Sequence, residues 1–545
     1  MYNGPISFFE SEEFWLKRKM SLFSLVMLTL SAIIGSGWLF GAGMAAQIAG
    51  PAAILSWILG AVIIGLIALN YIELGTMFPT SGGMSQYAAF SHGPLLGFVA
   101  GWANWLSLLT IIPIEAVAAV QYMSSWPWSW ANWTRGFLKD GDITNQGLII
   151  VFLFILAFTL LNFWSVKLLT RFTSFISIFK LGIPTLTIIV LMATGFQSGN
   201  FGHTAGFMPN GSAAIFSATT AAGIIFSYNA FQTTINMGNE IEHPERNILW
   251  GIVIAFSISA VIYTMLQVAF IGAVPGHYLV HGWQGVNFES PFANLAILMN
   301  LGWLSTLLYL DAFVSPFGTG VSFVATTSRA LAAMTGTKHM PTKLGELNRK
   351  YQTPRRAMIV NMVLGVVLVA GFRNWSALSN VISTSTLIAY LTGPVTVATL
   401  RRNAPEFSRP FRLWGLQLWA PLAYVLASLA IYWAKWPTTI EVFGVIALGL
   451  ICYVYYEFRQ PAGWTALRAS LKGSRWLLAE MIWLTIMSAV GSHEFGGHGW
   501  FPYPLDFVAV TLGSLVCYYL GVHDGYQSES FEIAQELNRR VEETE

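Results

Sequence analysis

Charge is scarce in this chain. Of its 545 residues, 28 are Lys or Arg and 26 are Asp or Glu, 10% in all, against 55% hydrophobic residues, whereas soluble domains carry about 25% charge. That excludes a soluble globular protein. Cysteine is scarcer still: Cys452 and Cys517 both fall inside apolar segments and support neither a disulfide framework nor a Cys-based zinc site. A nucleotide-binding loop of the G-x-x-x-x-G-K-[ST] type is missing. So is any convincing nucleophile-and-base or metal set, which disfavours a membrane enzyme. Polar sequence is short as well: the longest polar gap, 335–356, is too small for a soluble domain. About twenty mostly polar residues precede a first apolar run too long for a signal-peptide core, so no cleavable secretion signal is expected.

What fills the chain is apolar sequence in runs of about 20 residues, the length of a membrane-crossing helix. The runs number about fourteen: 22–48, 51–78, 94–123, 147–165, 170–195, 213–240, 248–274, 295–332, 357–372, 375–399, 414–434, 437–458, 475–492 and 505–523. The eighth is overlong and suggests a spanning helix with a short amphipathic lead-in segment. Net charge is only +2, but its placement is lopsided. Lys17, Arg18 and Lys19 share one side with Lys167, Arg171, Arg246, Arg329, Lys338, Lys343, Arg349, Lys350, Arg355, Arg356, Arg401, Arg402, Arg409, Arg412, Arg459, Arg468, Lys472, Arg475, Arg539 and Arg540. The opposite gaps hold Arg135, Lys139, Arg373 and Lys435. Basic loops stay cytoplasmic, so the expectation is a multi-pass cell-membrane protein with both termini inside.

Within the first run lies Ile33-Ile34-Gly35-Ser36-Gly37-Trp38-Leu39-Phe40-Gly41-Ala42-Gly43. Each glycine weakens a helix by roughly 1 kcal/mol against alanine, and bare backbone at membrane depth is tolerated where it lines a cavity or meets a ligand. The sixth run is interrupted in a comparable place by Gly223, Asn229 and Gly238. Paired broken helices point to an inverted-repeat transporter. Glycines that merely allow close helix packing are the bland alternative.

Several separated motifs then agree in order and spacing. Ile34-Gly35-Ser36-Gly37, Tyr71-Ile72-Glu73-Leu74-Gly75 with Phe78-Pro79-Thr80-Ser81-Gly82-Gly83, and Phe226-Ser227-Tyr228 with Glu240 and His243-Pro244-Glu245-Arg246-Asn247 form such a set. Ser328-Arg329 through Met340-Pro341 to Thr353-Pro354 completes it. Over about residues 20–400 the chain resembles the permeases of the amino acid, polyamine and organocation superfamily. Pro113-Ile114-Glu115 and Asp311-Ala312-Phe313-Val314-Ser315-Pro316 make it most similar to the aspartate/glutamate:proton symporter branch. The resemblance implies an all-α polytopic membrane protein with a LeuT-like 5+5 inverted-repeat core over 22–399 and broken helices one and six. An N-terminal cytoplasmic segment (1–21), about four further helices (400–523) and a cytoplasmic tail (524–545) complete the expected organisation. In helix six Asn229-Ala230 replaces the small pair usual after Phe-Ser/Ala-Tyr, and an asparagine amide suits a substrate with a polar side chain.

A broken helix offers both kinds of unpaired backbone group. The carboxylate of an amino acid suits N–H groups near Ser36 and Gly37 at a positive helix end; its ammonium suits carbonyls near Ile33, Phe226 or Ser227. Phe226 is expected to gate the substrate. Gln232, Thr233, Thr234 and Asn236 could offer donors to a side-chain carboxylate. Lys180 is the one cation placed well inside an apolar run; an isolated charge there costs at least ~2.5 kcal/mol, and it could snorkel to an interface instead. The resemblance implies that its amine replaces sodium between helices one and eight, with Thr319 supplying a hydroxyl. Glu115 and Asp311, the other intramembrane charges, could pair with a lysine, relay protons or bond neighbouring helices.

Glu73 is expected in a structural or conformational contact, and Glu240 in a solvated ionic cluster with Glu242 and Arg246. Trp57, Trp102, Trp105, Trp126, Trp128 and Trp130 are expected to lie mostly in the interfacial belt. His493-Glu494-Phe495-Gly496-Gly497-His498 departs from the H-E-x-x-H zinc spacing and reads as an external loop. Asn132-Trp133-Thr134 and Asn210-Gly211-Ser212 match the glycosylation triplet. Phe531, Ile533, Leu537 and Val541 give the tail a weak helical stripe, expected as a surface helix.

The expected function is a proton-coupled symporter that imports an acidic amino acid, aspartate ahead of glutamate, by alternating access. Exchange, transport of neutral amino acids or other amines, and a non-transporting sensor or channel are the alternatives. The expected partners are a small amino acid, protons and the lipid bilayer, with no nucleic acid, cofactor or metal; oligomeric state is left open.

Overall fold

The computed structural model describes residues 20–80, 83–164, 166–202, 206–335, 339–348, 351, 353–460, 463–527 and 529–542. Lys17, Arg18, Lys19, Ser81, Gly82, Lys338, Arg349 and Lys350 lie outside them, as do 1–19 of the N-terminal segment and 543–545 of the tail. In chain order the helices are α1 (Leu22–Ile33), α2 (Gly37–Ala49), α3 (Ala53–Met77), α4 (Gly83–His92), α5 (Pro94–Ser124), α6 (Asn145–Trp164) and α7 (Val166–Thr194). The interrupted sixth run gives α8 (Ala213–Ala221), α9 (Ile224–Tyr228) and α10 (Phe231–Ile235), followed by α11 (Pro244–Ala273), α12 (Pro291–Leu298) and α13 (Gly302–Met334). The remainder are α14 (Arg355–Gly371), α15 (Trp375–Asn403), α16 (Leu416–Tyr432), α17 (Thr438–Glu457), α18 (Gly463–Val490), α19 (Leu505–Asp524) and α20 (Glu529–Glu542). A two-stranded ribbon of Leu138–Lys139 and Asp142–Ile143 is the sheet among the described residues.

Helix lies at each of the fourteen apolar runs. Among the described residues, by length and composition alone, eight stretches are able to cross a membrane, nine when α8 and α9–α10, bent by 55°, count as one. Part of the difference has local causes: α2 runs into α3 through the turn at Gly50–Ala52, α1 is 12 residues long, and α14 and α16 are 17 each. The overlong eighth run resolves into the short α12 followed by α13. This is the all-α polytopic fold the sequence implies.

Two helices form the hub. In α5 and α15, 94% of the membrane-length stretch is buried inside the protein, so nearly every face of both helices, polar residues such as Ser107, Glu115 and Thr386 included, meets other helices. In contrast α6, α11, α17 and α19 expose large apolar side chains outward, among them Ile149, Val261, Leu448 and Val516, as a lipid-facing rim requires. Trp57 and Trp105 correct the belt expectation. Both are buried, and their indole N–H groups donate to Gln267 Oε1 at 2.8 Å and Asn361 Oδ1 at 3.2 Å. Trp130 does lie on the surface.

At one end of the bundle Glu73 is fully buried and accepts two parallel bonds from Arg401 (Nε 2.8 Å, Nη2 2.6 Å) and one from Leu413 N at 2.8 Å. The pair ties α3 to α15 and the segment after it. The tail helix docks nearby: Phe407 stacks on Phe531 at 5.6 Å, and the Asn538 amide exchanges two bonds with the Ser408 backbone. The ionic cluster expected around Glu240 is absent among the described residues, where the local pair is His243 with Glu245 at 3.3 Å. His493–Phe495 is a short 3-10 turn closed by Gly496 in the left-handed region, not the helix a zinc motif needs.

Candidate substrate and coupling site

The first helix stops where its glycines fall. Ile34 N still reaches Leu30 O, Gly35 N turns back to Ile33 O, and helical geometry resumes at Gly37. The Ser36 N–H and hydroxyl at the entrance to α2 both donate to Glu115 Oε1, each at 3.1 Å. Trp375 Nε1 donates to Ser36 Oγ at 3.0 Å. Gly37 packs against α9 so closely that an added Cβ would lie 3.0 Å from Ser227 Cβ. Tyr263 donates to Ile33 O at 2.9 Å, so this carbonyl, expected to face the substrate's ammonium, already has a protein partner.

The sixth helix breaks twice. Gly223 (φ 75°) supplies a left-handed turn between α8 and α9, and Ala230 (φ 112°) another before α10. Positive φ in a residue with a Cβ is strained, and such strain concentrates at functional sites. Here the side chain of Asn229 holds the turn, its Oδ1 accepting from Ala230 N at 2.8 Å and from Tyr390 Oη at 2.7 Å. Its amide donates to Thr386 Oγ1 at 2.9 Å and Ser107 Oγ at 3.3 Å. Asn229 therefore has its acceptor and both donors engaged. Tyr390 also bonds Gln232, Thr234 bonds Thr29 at 2.6 Å, and Ser227 Oγ returns to Gly223 O at 2.8 Å. The Phe226 carbonyl accepts from Asn229 N at 3.0 Å, and its ring meets Trp375 edge-on at 5.8 Å.

Lys180 does not snorkel. It is buried on α7, and its Nζ donates to Ser31 O and Thr319 Oγ1, both at 2.7 Å. The amine thus lies between the first helix and α13. Thr319 Oγ1 donates on to Ser315 O at 3.0 Å, and Ser315 Oγ donates to Asp311 Oδ1 at 2.7 Å. The other oxygens, Asp311 Oδ2 and Glu115 Oε2, are buried without a hydrogen-bond partner among the described residues. Among the described residues no carboxylate lies within 4.0 Å of the Lys180 amine.

One narrow cavity touches most of these groups: Ile33, Gly35, Glu115, Phe226, Asn229 and Thr319 line it. It has room for about one water. A family model for amino acid permeases matches residues 20–456. This chain belongs to the amino acid permease family. The permease is 46% identical over 526 residues to the glutamate/serine transporter AimA of Bacillus subtilis (strain 168), covering 96% of this chain and 97% of that protein. It is 36% identical over 514 residues to the aspartate-proton symporter of the same organism, covering 93% and 97%. At 25% over 466 residues it is also similar to a methylthioribose transporter from that strain. The matched proteins are transporters and not enzymes, and the permease is an amino-acid transporter of the membrane.

Sequence reasoning missed Trp375, Tyr390, Ser107 and Thr386. None stands in a motif; each belongs to the site through pairings more than a hundred residues apart in the chain. Asn374, which caps α15 by accepting from Ala377 N at 2.7 Å, is the one local sign that an aromatic at the start of that helix would be held in place.

Proposed function

We propose that the permease is a proton-coupled symporter that brings acidic amino acids into the cell by alternating access. The observation that carries the coupling is the Lys180 amine, held by one carbonyl and one hydroxyl with no carboxylate within 4.0 Å among the described residues. A cation so placed fills the space a coupling metal ion would need, and small changes in its surroundings decide whether it keeps its proton. Thr319 shares the amine and the cavity, which supports linking the two events. Ser36 and Gly37 remain the candidates for the substrate carboxylate, with Phe226 and Trp375 closing over it. The lopsided Lys and Arg distribution supports a cell-membrane location with both termini cytoplasmic.

The acidic preference is supported by the names of the two relatives, one for glutamate and serine and one for aspartate. An order with aspartate ahead of glutamate finds no such support, since the more similar protein is named for glutamate. One observation favours a second reading, transport of small neutral amino acids such as serine: the Asn229 amide is fully engaged and offers no free donor to a side-chain carboxylate.

The test is uptake into proteoliposomes under an acid-outside gradient, with common amino acids, gamma-aminobutyrate and polyamines as competitors at pH 5 and pH 7. Aspartate and glutamate are expected to compete best, and Lys180→Ala is expected to abolish accumulation while counterflow exchange survives. Uptake that requires sodium and ignores the proton gradient would overturn the coupling. Competition dominated by neutral or cationic compounds at both pH values would overturn the acidic preference.

A further inference from the structure

We propose that Glu115 is a tethered stand-in for the α-carboxylate of the substrate, and that exchanging one carboxylate for the other admits one proton with each amino acid. The inference rests on the reading of the site as an amino-acid site. Its geometric basis is the pair of donors at Ser36. A helix N-terminus attracts an anion through its unpaired N–H groups and dipole, and the 13-residue α2 begins there. Its first polar groups are already taken, because the Ser36 N–H and hydroxyl converge on Glu115 Oε1 at 3.1 Å each.

Two neighbours show that this contact is built. The indole of Trp375 donates to Ser36 Oγ at 3.0 Å, which uses an acceptor lone pair of that hydroxyl and leaves its single proton for Glu115. A Cβ at position 35 would come within 2.8 Å of Glu115 Oε1, so glycine there is what lets the carboxyl group approach. Glu115 is fully buried, its Oε2 has no partner among the described residues, and the residue lines the cavity with Gly35. The carboxyl group is thus half engaged and half unpartnered at the cavity wall.

An amino acid brings a carboxylate that needs the same donors. Two anions on one N–H and one O–H repel and cannot both be satisfied. Glu115 can yield the donors without leaving an uncompensated buried charge if it takes a proton as it moves. The exchange balances: a proton joins Glu115 to give the neutral acid, its bonds from Ser36 break, and the substrate carboxylate accepts them. The charged or titratable groups that face Glu115 are Lys180 from α7 and Tyr263 from α11, with Asp311 of α13 acting on Lys180. The entrance to α2 presents Gly35 and Ser36, which do not titrate. Because the exchange concerns the α-carboxylate, it couples protons to every amino acid the site accepts, whatever its side chain.

The experiment is equilibrium binding of radiolabelled L-serine, L-glutamate and L-aspartate to the purified full-length permease between pH 5 and pH 8. In the wild type, Kd is expected to rise about tenfold per pH unit over the upper part of that range, the slope of one linked proton. Glu115→Gln is expected to bind with a pH-independent Kd within about threefold of the wild-type value at pH 5. Glu115→Asp, which keeps the charge but shortens its reach to Ser36, is expected to bind more tightly than wild type at pH 8. Lys180→Ala is expected to keep a wild-type slope of one linked proton, moved along the pH axis because the Lys180 charge acts on Glu115. Retention of that slope by Glu115→Gln, or loss of its binding at every pH while it keeps wild-type thermal stability, would overturn the exchange. Failure of the wild type to bind any of the three at any pH would overturn the amino-acid reading itself and this inference with it.

Discussion

Replacing Gly37 by alanine tests how closely the two broken helices are fitted. The added methyl would overlap Ser227 Oγ and lie 3.0 Å from Ser227 Cβ and 3.2 Å from Ser227 Cα. The hydroxyl is the movable part, yet it is bonded to Gly223 O at 2.8 Å, and Cα belongs to the backbone of α9. Overpacking of this kind costs about 1 to 3 kcal/mol, a factor of roughly 5 to 150 in the equilibrium that carries it. We expect amino-acid affinity, measured by direct binding to the purified protein, to fall by a factor in that range. Ser227→Gly removes the hydroxyl and Cβ at the cost of one hydrogen bond, about 1 kcal/mol. Combined with Gly37→Ala it should restore much of the lost affinity, a coupling of about 0.5 to 3 kcal/mol. Wild-type affinity in Gly37→Ala, or single and double variants that add within about 0.5 kcal/mol, would refute the close approach of α2 and α9.

Trp375→Phe keeps the aromatic contact with Phe226 but deletes the bond to Ser36 Oγ; a rise in KM of about three- to tenfold, with expression intact, is expected from the loss of about one hydrogen bond. Glu73→Gln strips the carboxylate from a buried ion pair and should lower stability by about 3 to 5 kcal/mol, read as a drop in the melting temperature in detergent. His92, at the end of α4 and outside the spanning segments, bonds Ser91 Oγ at 2.6 Å and Gly521 O at 2.9 Å; burial pushes its imidazole down from 6.5 to about 4. Its contribution to stability is complete above about pH 6.5 and lost as the pH falls toward 4. The melting temperature of wild type should therefore fall more steeply across that window than that of His92→Gln, and equal slopes would exclude the assignment.

The spans, the two breaks and the position of Lys180 were legible because each has a local signature. An apolar run, a glycine cluster and a lone cation in hydrocarbon are features of adjacent residues. The partners of those features were not legible. Nothing near Ser36 announces that its N–H meets a carboxylate 79 positions on, nor that Glu73 will find Arg401. Periodicity also failed to tell buried tryptophan from interfacial tryptophan. Trp57 and Trp105 sit in long, mostly apolar helices, where the side facing protein is marked by an acceptor in another helix, Gln267 or Asn361. The ionic cluster near Glu240 was misjudged for a related reason: charges close in sequence at a helix exit are spread by the chain's turn into α11, with Glu240 and Arg246 exposed and unpaired with each other among the described residues.

The narrowness of the cavity has a consequence for how selectivity changes over evolution. Since a bound amino acid needs more space than about one water, the arrangement ready to receive it is a different conformation, and apparent affinity is the intrinsic affinity reduced by that conformation's share. A substitution remote from Ser36 or Asn229 that loosens the packing of Trp375 would raise the apparent affinity for every ligand alike. One that reshapes the open cavity would instead change their ranking. Sequence drift in the outer helices can therefore tune how avidly a permease of this design scavenges, independently of what it scavenges.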